Sequence, residues 1–103
     1  MKKVIGGKLF DTETAEEVAD ISPSGYSRND FEFEETLLYR TKKGTFFLAG
    51  NGGALSRWRR PINGGSSSGS GIIAVSLDDA KELVERHGDV DLYTRLFGAP
   101  EDA

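Results

Sequence analysis

Between Glu34 and Gly50 the chain carries two runs rich in β-branched, aliphatic and aromatic residues, Glu34–Thr41 and Thr45–Gly50, joined by the basic turn Lys42-Lys43-Gly44. Runs of this composition separated by a short turn ending in glycine specify a β-hairpin. Gly44 supplies the positive φ that such a turn requires without a Cβ penalty. Any fold of this chain is built outward from that hairpin.

The flanking segments extend it into a meander. Val4–Asp11 reads as a first strand with Ile5, Leu9, Val4 and Phe10 turned to the core, and Gly6-Gly7 in its middle marks a bulge or a close backbone approach. Ala15–Ile21 reads as a second strand pairing with the first, although Ala15–Ala19 alone has helical propensity. Ser22–Asp30 is loop by composition. Phe31–Glu34 alternates apolar and acidic residues and enters the third strand. The glycine-serine run over residues 63–71 reads as a flexible loop with the composition of a synthetic linker.

Ile72–Val75 is a short strand of the buried type, and two helices follow. Ser76 caps the first, with Asp79 three residues on. Leu77, Ala80, Leu83, Val84 and His87 share one face of it, and Gly88 ends it. Asp89 caps the second, with Val90, Tyr93, Leu96 and Phe97 inward, and Gly98 and Pro100 stop it. The pairs Glu82/Arg86 and Asp91/Arg95 have helical i,i+4 spacing. The expected fold is α+β: an antiparallel meander of about four to five strands, then two short C-terminal helices, in one domain spanning 1–103.

Composition removes several chemistries. The sequence has no cysteine, which rules out a disulfide framework, a thiolate nucleophile and a cysteine-ligated zinc. His87 is the single histidine, so one chain cannot build a two-histidine metal site. Its simplest role is a favourable interaction with a helix C-terminus. Gly65-Ser66-Ser67-Ser68-Gly69 has the spacing of a nucleophile elbow, but that chemistry needs the serine strained between a strand and a helix. Glu34 and Glu35 are neighbours in a strand and point to opposite faces, so they cannot flank one bond. The expectation is a non-catalytic protein that uses neither cofactor nor metal. The basic start lacks the apolar segment of a signal peptide, and no run reaches the roughly 20 apolar residues of a membrane span. The expected location is cytoplasmic.

Charge is blocked along the chain although the net value is only −4. Residues 11–35 hold nine acids against Arg28 alone, residues 36–77 hold six basic residues and no acid, and residues 78–103 hold eight acids. Blocks of this kind point to a partner surface unless the fold brings opposite signs together. In the basic block, Gly52–Arg60 admits two readings. Its glycine N–H groups, Ser56 and three arginines suit a phosphate, with Trp58 stacking on a base. Alternatively it is a short turn in which Leu55 and Trp58 plug the core while the arginines meet acids.

Three stretches together, Lys3–Ala15, Leu38–Gly44 and Phe47–Ser56, resemble a widespread family of short, mostly uncharacterised proteins of bacteria, archaea, phages and mobile elements. Ile72–Ser76 and Asp79-Ala80 match its end more loosely. The family pattern has proline where this chain carries Ala74, and the Trp58–Pro61 segment departs from it. Acidic proteins of this size and origin resemble host-defence antagonists, including anti-CRISPR inhibitors that occupy a basic nucleic-acid channel or block a conformational step. The resemblance implies a host protein or nucleoprotein partner such as a CRISPR effector. Phosphates would then be imitated by Asp11, Glu13, Glu16, Glu17 and Asp20, by Glu32 and Glu34, or by Asp78, Asp79, Glu82 and Glu85. The rival expectation is a nucleic-acid-binding accessory protein using Lys42, Lys43, Arg57, Trp58, Arg59 and Arg60. A third is a homo-oligomer joined through an exposed strand edge.

Overall fold

A computed structural model describes all residues, 1–103. Its centre is a four-stranded antiparallel sheet of β3 (Glu16–Asp20), β4 (Glu34–Arg40), β5 (Phe46–Gly52) and β8 (Gly69–Val75), in that spatial order. A small hairpin of β1 (Lys2–Ile5) and β2 (Lys8–Asp11) precedes the sheet. Another, β6 (Arg60–Ile62) with β7 (Gly65–Ser67), lies between β5 and β8, and α1 (Leu77–His87) and α2 (Val90–Phe97) close the chain. This is the α+β arrangement expected, with the β4–β5 hairpin at its heart. The two strands pair without a break from Glu34↔Gly52 to Arg40↔Phe46.

Strand alternation divides the core in two. Leu38, Phe46 and Leu48 lie on one face and join Val18, Ile21, Ala80 and Val84 beneath the helices. Phe47, Ala49 and Ile72 lie on the other and are covered by Phe10 of the β1–β2 hairpin, whose ring meets Phe47 edge-on at 5.4 Å. β5 is therefore buried on both faces along Phe46–Gly50, as a central strand must be.

Several elements depart from the sequence reading. Gly6 and Gly7 do not bulge one strand; both have positive φ and turn it back as a hairpin. The hairpin has one covered face, so Phe10 is buried while Val4 and Leu9 are exposed. β3 pairs with β4, not with the first strand, with a bulge that sets Val18 and Ala19 against Leu38. Residues 63–71 are not a flexible loop. Gly65–Ser67 form β7, Gly69–Gly71 continue β8 against Gly52–Gly50, and the Ser66 hydroxyl donates to the Ala54 carbonyl at 2.6 Å. The backbone bonds there are tertiary, and composition carries no trace of them.

Both helices begin where their caps place them. Ser76 Oγ accepts from the Asp79 N–H at 3.1 Å, and Asp89 Oδ1 from the Leu92 N–H at 2.8 Å. Their inward faces differ slightly from expectation. Leu77, His87 and Val90 are exposed, and Leu92 joins Tyr93, Leu96 and Phe97 against the core.

Candidate functional site: the charged surfaces

Trp58 occupies a trough of glycines. Gly50 and Gly71 are register partners on the helix-side face of the sheet, and the Trp58 ring lies over them. A Cβ at Gly71 would stand 3.4 Å from the ring, and one at Gly50 would stand 2.7 Å from the indole nitrogen. Gly50 is thus a site of close approach, the role glycine has in strands where something packs directly on the backbone, while Gly71 sits at ordinary contact distance from the ring.

From the indole runs a chain of polar contacts. Trp58 Nε1–H donates to Thr36 Oγ1 at 2.8 Å, and that hydroxyl donates to the Glu34 carboxylate. Arg57 Nε lies 2.7 Å from Glu34 Oε2, and the Arg57 main-chain N–H donates to Glu34 Oε1 at 3.4 Å. Thr36 is fully buried and Glu34 only 5% exposed. A buried carboxylate survives in a core only when its oxygens are satisfied, and here a hydroxyl and a guanidinium supply that.

This geometry resolves the ambiguity of residues 52–60. Trp58 is 6% exposed and packs with Val84 and Leu38 in the main cluster, so no base can stack on it. The structural reading holds for Trp58 and Arg57, but Leu55 stays outside and neither Arg59 nor Arg60 meets an acid. Arg57 is held by Glu34, and Arg59 donates to the Ser56 carbonyl at 3.1 Å. Arg57 and Arg59 still line an open cleft of about 660 Å³ with Pro61, Gly65 and Ser66, while Arg60 is exposed on β6.

The proposed acids separate into spent and free. Glu34 is interior. Asp11 is buried too, its Oδ1 accepting from the Glu13 N–H at 2.9 Å, so neither presents charge to a partner. Both were expected outward because strand alternation and turn composition do not reveal what covers them. Glu16 is shared by Arg40 at 3.2 Å and Arg95 at 3.1 Å. Arg95 thereby forgoes the Asp91 pair its spacing suggested, and ties α2 to the edge of the sheet. Asp20 Oδ1 accepts from the Ser22 N–H at 2.9 Å, and hydrogen bonding from Ser22, reinforced weakly by His87, holds its carboxyl below the ordinary range.

Glu13, Glu17 and Glu32 are exposed and dispersed over three segments, with no cation within 4.0 Å. The four acids of α1 are different. Asp78, Glu82 and Glu85 form a stripe opposite buried Ala80 and Val84, Asp79 flanks it, and none is ion-paired within 4.0 Å. Arg86 makes no ion pair with Glu82, and Lys81 turns over the Phe97 ring at 5.8 Å.

One basic surface was only half legible. Lys42 and Lys43 meet Lys8 of β2 across a cleft of about 670 Å³, with Thr14, Thr41 and Thr45 in its wall. None of the three lysines has a carboxylate within 4.0 Å, although Asp11 also lines the cleft. The sequence named Lys42 and Lys43; adding Lys8 required knowing that the β1–β2 turn folds beside the β4–β5 turn.

Comparison with protein-family models, with curated proteins and with solved structures returns no match. No helix is long and apolar enough to cross a membrane.

Proposed function

We propose that this chain is a non-catalytic binding protein that lays the outer face of α1 on a basic protein surface, and that its target is a host-defence nucleoprotein of the CRISPR-effector kind. The observation that carries the reading is the contrast among its acids. Glu16 and Glu34 are neutralised by the chain's own arginines, whereas Asp78, Asp79, Glu82 and Glu85 are left outward without a counter-ion. Unpaired like charges on one helix face repel each other by a few tenths of a kcal/mol per pair, a cost that a cationic partner removes. The resemblance of the hairpin motifs to phage and mobile-element proteins supplies the target class; charge supplies the face.

The test is target cleavage by a guide-loaded CRISPR effector titrated with the protein at two salt concentrations. The expected result is inhibition that weakens with salt and is lost on combined Asp78→Lys, Glu82→Lys and Glu85→Lys substitution. Inhibition indifferent to those changes, or none with effectors of any type, overturns the reading. A second reading rests on the cleft of Lys8, Lys42 and Lys43, which suits a nucleic-acid backbone better than the Arg57–Arg60 segment does. Submicromolar oligonucleotide binding that falls steeply with salt and disappears in Lys42→Ala/Lys43→Ala would favour it.

A further inference from the structure

The two edges of the central sheet are treated differently. β3 is short, bulged at Val18, and carries Glu16, Glu17 and Asp20, the devices by which edges are kept from pairing with other chains. β8 has none of them. It is seven residues long, Gly-Ser-Gly-Ile-Ile-Ala-Val, without a charge, a proline or a register shift. Its outer side makes no backbone hydrogen bond, and β1 touches it without pairing. α1 leaves its C-terminal end and packs toward β3, away from this edge. Ile73, the second residue of the hydrophobic run Ile72–Val75, is left 44% exposed.

We propose that β8 is a self-association edge, pairing antiparallel with β8 of a second copy across a twofold axis at Ile72 to make a continuous eight-stranded sheet. Residue sizes in the strand argue for a second copy over a foreign strand. Pairing about Ile72 sets Gly69 against the second copy's Val75, Ser70 against Ala74 and Gly71 against Ile73. Val75 and Ile73 therefore each face a glycine, Ser70 and Ala74 are both small, Ile72 meets its own counterpart at the axis, and the whole seven-residue length is used. Two copies of a chain with net charge −4 repel, and an uncharged edge is where they approach at least cost. A twofold contact of this kind is self-complementary and closes as a dimer, so it does not propagate into fibres. The pairing satisfies the N–H and C=O groups that face outward and covers Ile73.

Sedimentation equilibrium of the intact chain over about two decades of concentration tests this, because self-association makes the apparent mass concentration-dependent. The expected limit is twice the 11.2 kDa chain mass. Ile73→Lys, a change at an exposed side chain, should leave the circular dichroism spectrum unchanged and return the monomer mass. The register has its own test, since the chain has no cysteine of its own. Ser70→Cys/Ala74→Cys should form an oxidised dimer, its paired Cβ atoms being about 4.5–5.5 Å apart. Ser70→Cys alone should not. A monomer throughout the range overturns the proposal. So does a dimer that survives Ile73→Lys and fails to crosslink, or a monomer whose β8 amides are protected only when another protein is added.

Discussion

The indole N–H of Trp58 and the hydroxyl of Thr36, 22 residues apart in sequence, meet at 2.8 Å in the interior. Through Thr36 the indole is linked to Glu34, and through Glu34 to Arg57, so the loop after β5 is tied to the first half of β4 by one polar chain. Trp58→Phe keeps most of the apolar contact but removes the donor. It should cost about 1–3 kcal/mol, and Trp58→Ala about 3–5 kcal/mol, by urea denaturation. A Trp58→Phe variant as stable as the wild type would show that the hydrogen bond contributes nothing.

Gly50, under that ring, should tolerate no side chain. A Cβ at Gly50 would run into the Glu35 carbonyl oxygen and lie 3.0 Å from Thr36 Cα, both backbone atoms that cannot move aside. Gly50→Ala should therefore destabilise by about 3 kcal/mol. Gly65→Ala, where a Cβ meets open space, should stay within about 0.5 kcal/mol. Thermal melts of the pair decide the matter, since equally small losses at both would show that nothing packs closely on Gly50.

Asp20 makes a stability contribution with a defined pH window. Its folded-state pKa is lowered by hydrogen bonding from Ser22, so the contribution is present at neutral pH. It is lost as pH falls below about 4, through the folded value. Stability profiles of wild type and Asp20→Asn should differ by a constant amount from pH 5 to 8 and converge in acid. Profiles that stay parallel down to acid unfolding would remove Asp20 from the acid response.

The helix caps are separable from the core. Ser76→Ala and Asp89→Ala each remove one side-chain acceptor from a helix N-terminus and should cost about 1 kcal/mol. They should add when combined, because they cap different helices. Amide exchange would show Asp79 and Leu92 as the residues that lose protection, and a uniform loss across the sheet would contradict that local role.

Much of the architecture was written in local pattern. The β4–β5 hairpin, its turn at Gly44, both helix starts and both helix stops follow from signals within a few residues of where they act. The charge blocks were equally visible, and they pointed to the α1 acids as one candidate surface. What pattern missed was covering. Glu34 and Asp11 read as solvent-facing acids, and Gly65–Gly71 as slack chain, because burial of a strand face depends on what folds over it.

Sequence by itself determined the central pieces, the β4–β5 hairpin with its turn and the two capped helices, since backbone preference, capping and side-chain alternation are short-range. Only the tertiary structure decided that β3 pairs with β4, that Trp58 sits on Gly50 and Gly71, and which acids remain unmatched. Those outcomes are set by contacts between residues far apart along the chain, whose hydrogen bonds and buried area exist only once the whole sheet has closed around them.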